Sequence, residues 1–152
     1  TNNTSNDMAT WFECKVRYDK MQQDGSVKRV TEPYIVDALS FTEAEARIIK
    51  EAQPYISGEF SVTAVKRTKI NDIFYDGTGD KYYMAKVAFI QIDEKGNEKK
   101  AATQYLVQAG DFDRALANVH EGMKGILGDY EVQSIAETMI MDVYKADLSG
   151  NK

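Results

Sequence analysis

Positively charged side chains and aromatic rings alternate in the first half of this chain, and they are the residues best suited to chemistry. Lys15 and Arg17 lie two residues apart on a predicted strand that begins at the single tryptophan, Trp11. Unpaired bases stack on aromatic rings while cations neutralise phosphates, so this pattern favours binding of single-stranded DNA or RNA. The predicted nucleic-acid-binding residues are Trp11, Lys15, Arg17, Arg29, Lys66, Arg67, Lys69 and Tyr75.

A second set of residues, in the second half of the chain, is apolar where the first half is basic. Ala88 and Met139 stand at the positions that correspond to Arg17 and Lys69. Exposed apolar patches of this kind mark interfaces, so we expect a homodimer. The predicted interface residues are Tyr82, Met84, Ile90, Leu106, Met139 and Met141. Packing of this face against the sheet of the first half is the alternative.

No set of residues in the sequence predicts catalysis. His120 is the only histidine and Cys14 the only cysteine, so neither a metal site built from several such ligands nor a nucleophile–base pair is expected. Asp72 and Asp142 recur at matched positions, where we expect them to accept backbone N–H groups. We therefore predict a protein that is not an enzyme and that uses no cofactor or metal.

The composition is typical of a soluble globular protein. The chain has 152 residues, of which 43% are hydrophobic and 28% charged, and its formal net charge is −5. A negative total argues against general polyanion binding, but a basic groove on an acidic protein can still bind single strands. The chain contains no apolar run long enough to span a membrane, and we predict a cytoplasmic location.

A repeat predicts the elements that must position these residues. Residues 34–44 and 105–115 share the frame Y-x-V-x-A-x-x-F-x-x-A, offset by 71 residues. In each copy an alternating apolar stretch is followed by helical spacing, which is typical of a strand that leads into a helix. Similar matches flank both copies, so we infer an internal duplication.

Each copy is predicted to contain two strands, a helix and a third strand. Thr42 and Asp113 are the predicted helix N-caps, and the third strands are expected over 59–76 and 129–145. The expected fold is α+β, in which duplicated β-β-α-β units form antiparallel sheets with both helices packed on one face. We predict a single domain over 11–145, with repeat 1 at 11–76, repeat 2 at 81–145, and disordered tails at 1–10 and 146–152.

Two stretches of the sequence carry a resemblance to known families. They are residues 11–16 (Trp-Phe-Glu-Cys-Lys-Val) and residues 34–46 (Tyr-x-Val-x-Ala-x-x-Phe-Thr-Glu-Ala-Glu-Ala). Over nearly all of residues 8–145 the chain resembles an uncharacterised family of Bacteroides-type bacteria and their phages, which implies a phage or mobile-element setting and no particular site residues. In element order the chain also resembles the Whirly and PUR families of single-strand binders, although those families place four strands before each helix.

The favoured hypothesis is a non-enzymatic single-stranded nucleic-acid binding protein. Two alternatives stay open: a protein-interaction or adaptor module, such as an inhibitor of a host defence protein, and a binder of small nucleotide ligands. In the first alternative the exposed aromatic residues would anchor a protein partner. Affinity that falls with salt would distinguish nucleic acid, because its binding releases counterions.

Overall fold

Two α-helices and eight strands make up residues 10–146, the part of the chain that the computed structural model describes. The elements in chain order are β1 (Thr10–Met21), β2 (Val27–Ala38), α1 (Phe41–Ala52), a 3-10 turn (Gln53–Tyr55), β3 (Phe60–Arg67), β4 (Ile70–Phe74), β5 (Lys81–Ile92), β6 (Glu98–Ala109), α2 (Phe112–Gly122), β7 (Asp129–Glu137) and β8 (Val143–Tyr144). The predicted α+β class is confirmed. Apart from residues 10 and 146, the predicted tails lie outside the described residues.

The described residues divide into two compact units. Unit 1 contains residues 10–68 and 140–146, and unit 2 contains residues 69–139. These boundaries differ from the predicted repeat boundaries at 76 and 81. The last strand of each predicted repeat accounts for the difference, because its two halves belong to different units.

Unit 1 is a four-stranded sheet in the order β3-β1-β2-β8, with α1 packed on one face. β1 pairs antiparallel with β2 and β3, whereas the short β8 pairs in parallel with Ile35 and Val36 of β2. Alternate residues of β1 and β2 meet one stripe of α1, which is the packing that strand and helix periodicities allow. The resulting core includes the fully buried Phe12, Val16 and Ile48.

Unit 2 has the sheet order β7-β5-β6-β4, with α2 packed on one face. β5 pairs antiparallel with β6 and β7, and β4 pairs in parallel with β6. Val87, Val107 and Val119 are fully buried in the core between this sheet and α2. The expectation of purely antiparallel sheets is therefore wrong at one edge of each sheet.

A threonine ends the pairing of β3 and of β7 in the same way. Thr68 donates through its N–H (2.9 Å) and its Oγ1 (2.8 Å) to the carbonyl O of Trp11. Thr138 donates through the same two groups, at 2.9 and 2.8 Å, to the carbonyl O of Tyr82. Beyond each threonine the chain leaves its sheet and supplies the parallel edge strand of the other unit. The continuous strands predicted over 59–76 and 129–145 are therefore wrong.

Both helices begin earlier than the sequence predicts. The N-caps are Ser40 and Asp111, which have extended φ angles of −155° and −156°. Each side chain accepts the backbone N–H three residues further on, at 3.1 and 2.8 Å. A side-chain oxygen at this position satisfies an N–H that has no partner within the helix. The prediction of Thr42 and Asp113 as caps is thus wrong by two residues.

Candidate nucleic-acid interface

Unit 1 carries a set of cations on the sheet face that points away from α1, which we call the outer face. Trp11, Lys15 and Arg17 of β1 lie on this face. The alternate residues Phe12, Cys14 and Val16 point into the core. β2 adds Arg29 and β3 adds Lys66, each opposite an acidic residue of β1. The four cations are exposed and Trp11 is partly buried. Five of the eight residues predicted to bind nucleic acid therefore share one face.

Two of these cations are paired with carboxylates of β1. Arg29 Nε lies 3.0 Å from Asp19 Oδ1. Lys66 Nζ lies 3.8 Å from Glu13 Oε1, a looser contact. In both pairs the cation is exposed to solvent: the side chains of Arg29 and Lys66 are 66% and 69% exposed.

The other two cations, Lys15 and Arg17, make no ion pair with any described residue. Arg17 Nε donates a long hydrogen bond of 3.4 Å to Thr31 Oγ1. Both side chains are exposed. Their positive charge is thus available to an incoming anion.

Arg67 lies on the other face of the sheet, contrary to its predicted placement. Thr63 forms a β-bulge in β3, and residues beyond a one-residue bulge change face. Arg67 therefore pairs with Phe12, and its guanidinium carbon lies 5.0 and 5.3 Å from the ring centroids of Phe12 and Phe41. These are cation–π contacts on the side of α1. Arg67 and Arg17, which the sequence predicts to bind nucleic acid together, therefore lie on opposite faces of the sheet.

Lys69 and Tyr75, the two remaining predicted residues, belong to unit 2. Lys69 is exposed in the link between β3 and β4. Tyr75 directly follows β4 and is 51% exposed. Neither residue is part of the sheet face that carries Trp11 and Arg17, so the candidate interface in unit 1 does not include them.

A surface cavity of about 220 Å³ opens at the end of the outer face. It lies where the end of β1 and the beginning of β2 meet the beginning of β3, and its lining residues are Arg17, Tyr18, Asp19, Arg29, Glu59, Phe60 and Ser61. Two cations of the candidate interface therefore border one cavity. Two carboxylates balance these guanidinium groups, so the lining carries no formal net charge.

Unit 2 does not repeat this cationic face. Ala88 stands at the position that corresponds to Arg17 and is fully buried. Lys100 corresponds to Arg29 and forms a 3.0 Å ion pair with Glu131. Their hydrogen bond raises the pKa of Lys100 and lowers the pKa of Glu131. Lys86 corresponds to Lys15 and is exposed without an ion pair among the described residues, so unit 2 retains one such cation. The two neighbouring cations without carboxylate partners, Lys15 and Arg17, are therefore a property of the unit 1 face alone.

The six residues predicted to form a dimer interface differ greatly in exposure. Leu106 is fully buried and Tyr82 is 5% exposed, and both lie on the two central strands of their sheet. Met84 and Ile90 are partly buried. The exposed members are Met139 (80%) and Met141 (46%), which belong to different units. The prediction of one interface built from all six is wrong, because the buried members offer no surface to a second subunit.

Sequence reasoning missed a buried carboxylate in unit 1. Glu32 is 9% exposed and accepts hydrogen bonds from the Tyr18 hydroxyl (2.8 Å), Lys20 Nζ (3.2 Å) and the Tyr34 hydroxyl (3.4 Å). Burial, together with the bond to Glu32, raises the pKa of Tyr18 to about 12. The available signal was a glutamate among the apolar positions of β2, which requires polar partners when buried.

The groups that commonly serve catalysis have structural surroundings here. Cys14 is fully buried, and burial raises the pKa of its thiol to about 11. His120 Nδ1 lies 2.8 Å from the Tyr130 hydroxyl. Asp72 and Asp142 each accept the N–H of the next residue at 2.8 Å, so the prediction that they accept backbone N–H groups is confirmed.

Residues 10–146 contain neither a metal-binding cluster nor a membrane-spanning helix. Within that range, no group of three or more His, Cys, Asp or Glu side chains is arranged to hold a metal ion. No helix there has the length and apolarity needed to cross a membrane.

Comparison with known proteins identifies the family. No curated protein matches the chain at a significant level. A family model described as a domain of unknown function, DUF4494, matches residues 10–146, which agrees with the resemblance to an uncharacterised family. Because this match covers both units and most of the sequence, the chain belongs to the DUF4494 family.

Proposed function

We propose that unit 1 binds single-stranded nucleic acid on its outer face. The observation that carries the proposal is the presence of Lys15 and Arg17, exposed and without carboxylate partners among the described residues, on the same strand face as Trp11. From Trp11 to Arg17 the strand rises about 20 Å, at roughly 3.4 Å per residue. A strip of this length offers cations to several phosphates and one ring to a base.

The paired cations extend the proposed binding strip. In both ion pairs the cation is well exposed, and an exposed ion pair contributes only about 0–1 kcal/mol. A phosphate can therefore replace either carboxylate at small cost. With these two residues the strip spans β1, β2 and β3 of one sheet.

We also infer that the two units arose by duplication of one β-β-α-β segment. The strand orders β3-β1-β2-β8 and β7-β5-β6-β4 correspond element by element, and Thr68 and Thr138 end the matched strands with the same two hydrogen bonds. In this view the cationic face is a specialisation of unit 1. The homodimer, the phage or mobile-element setting and the cytoplasmic location stay predictions.

Fluorescence anisotropy of a labelled oligo-dT tests the proposed function. Affinity should fall steeply between low and moderate salt, because phosphate contacts release counterions. Trp11 is the only tryptophan, so quenching of protein emission reports directly on the proposed face. We expect Lys15→Glu to weaken binding about tenfold, or roughly 1.4 kcal/mol.

Lys86→Glu is the matched control for this experiment. Lys86 is exposed on β5 at the position that corresponds to Lys15, so the substitution changes the net charge equally in the other unit. It should leave the affinity nearly unchanged. Equal losses in the two variants would contradict a specific role for the outer face. Absence of binding even at low salt would reject nucleic acid and favour a protein partner.

A further inference from the structure

We propose that the cavity at the end of the outer face binds one guanine base of the bound strand. The inference rests on the proposed function, because Lys15 and Lys66 would hold the phosphates beside the cavity. It adds to that function a preference among bases. The preference follows from the side chains that border the cavity and from which of them already have partners.

The polar border of the cavity comes from three neighbouring strands. Arg17 of β1 is paired in register with Ser61 of β3, and Asp19 of β1 with Arg29 of β2. Glu59 immediately precedes β3 and lines the same cavity. Donor and acceptor groups therefore converge on one volume of about 220 Å³.

Arg17 and Glu59 are the two charged residues of the cavity that have no ion-pair partner among the described residues. Asp19 and Arg29 satisfy each other at 3.0 Å. Neither Arg17 nor Glu59 makes an ion pair with a described residue. A phosphate in this volume would meet two guanidinium groups and two carboxylates with no net attraction, so a neutral ligand with both donors and acceptors fits better.

Guanine has the hydrogen-bonding groups that this pair requires. Its O6 and N7 accept two bonds from an arginine fork. Its N1–H and N2–H₂ groups donate in parallel to a carboxylate on the Watson–Crick edge. Thymine lacks the amino donor, and adenine and cytosine do not offer two parallel donors beside two acceptors. Arg17 and Glu59 are therefore assigned as the base-reading residues.

The size of the cavity suits a single base. Its volume of about 220 Å³ is below the ~300–1,000 Å³ of pockets for drug-sized ligands. Tyr18 and Phe60 also border this volume, but they pack against the core on the α1 side of the sheet, so hydrogen bonds to the outer-face side chains would hold the base. The rest of the strand would lie outside the cavity, along the cations of the outer face.

The test compares oligo-dT with an oligo-dT of equal length that carries one central dG, by anisotropy at fixed low salt. We expect the dG strand to bind about tenfold more tightly, since a bidentate contact favours its matching base over the others by at least about that factor. Replacing dG by deoxyinosine, which lacks the N2 amino group, should reduce the preference. Glu59→Gln should bring the ratio of the two affinities close to one, because an amide accepts at one atom only.

Asp129→Asn is the matched control, because Asp129 is exposed and occupies the position in unit 2 that corresponds to Glu59. It should retain the full dG preference. Equal affinities of the wild-type protein for both strands would overturn the guanine inference while leaving strand binding intact, and so would an unchanged preference in Glu59→Gln. Failure of both strands to bind would overturn the inference together with the proposed function.

Discussion

The two units hold their parallel edge strand with different chemistry at matched positions. In unit 1, Arg47 of α1 forms an ion pair with Asp37 at the end of β2 and donates to the carbonyl O of Tyr144 in β8 at 3.4 Å. Asp37 Oδ1 also accepts the N–H of Ala146, at 2.8 Å. The side chains of Arg47 and Asp37 are only 17% and 14% exposed. A charged network therefore secures β8.

In unit 2, side-chain amides replace both charged groups. Asn118 of α2 corresponds to Arg47 and donates to Asp76 Oδ2 (2.9 Å) and to the carbonyl O of Gln108 (3.0 Å). Gln108 corresponds to Asp37, and its Oε1 accepts the N–H of Asp76 at 3.0 Å. The end of the edge strand is thus held by an ion pair in unit 1 and mainly by neutral amides in unit 2.

The two networks differ in the desolvation cost of the group that remains when one partner is removed. A buried carboxylate without its guanidinium has a high desolvation cost, whereas an unpaired amide has a smaller one. Unit 1 carries a second buried charge of this kind at Glu32, where unit 2 has Thr103. Unit 1 should therefore be the more sensitive unit to the removal of polar side chains and to pH.

The largest expected effect comes from removing the helix side chain of each network. Arg47→Ala should lower the free energy of unfolding by about 3 kcal/mol, because it leaves the largely buried Asp37 carboxylate without its cation. Asn118→Ala should lower it by about 1–2 kcal/mol, since the partly buried Asp76 carboxylate that loses this bond still accepts two hydrogen bonds from Thr78. Urea denaturation measures both values. If Asn118→Ala lowered the free energy of unfolding as much as Arg47→Ala, the larger stabilisation expected from the ion pair would be contradicted.

Replacing Glu32 by its counterpart in unit 2 should have an intermediate effect. Glu32→Thr removes a charged acceptor from Tyr18, Lys20 and Tyr34, which we expect to destabilise the protein by about 2 kcal/mol. Hydrogen exchange should show faster opening of β1 and β2 than of β5 and β6. Uniformly faster exchange in both units would contradict a local role for this carboxylate.

The smallest expected effect concerns alkaline pH. The pKa of Tyr18 is raised from 10.0 to about 12 in the folded protein, chiefly by burial and then by its bond to Glu32. A raised folded-state pKa contributes stability that is complete below about pH 10 and is lost as pH rises through about 12. Phe89 occupies the matched position in unit 2. We therefore expect the stability of the wild type, measured by denaturation, to fall between about pH 10 and 12, and Tyr18→Phe to reduce this fall. An unchanged fall would refute this assignment.

Regular periodicity explains what the sequence predicts well. β1, β2, β5 and β6 follow an alternating pattern, and the helices follow a clear apolar stripe. The grouping of Trp11, Lys15 and Arg17 is correct because β1 has no irregularity between them in its pairing with β2. Positions on one unbroken strand can be assigned to a face from spacing alone.

The features that the sequence does not predict depend on single residues and long-range contacts. Thr63 adds one residue to β3 and moves Arg67 to the other face, although nothing in the local spacing marks it as a bulge. Thr68 ends β3 by bonding to the carbonyl O of Trp11, which lies 57 residues away in the chain. Parallel edge pairing and the Arg47 network likewise join distant segments, for which the sequence offers no periodic signal.

The central claim is that only unit 1 presents a nucleic-acid-binding face, and an amide chemical-shift titration tests it most directly. Oligo-dT would be added to ¹⁵N-labelled protein at low salt, with the ¹H–¹⁵N spectrum assigned. Binding on the outer face of unit 1 should give shifts concentrated in β1, β2 and β3, around Lys15 and Arg17, with the matched positions Lys86 and Ala88 of β5 little changed. Equal shifts in both sheets, shifts confined to unit 2, or no shifts at all would contradict it.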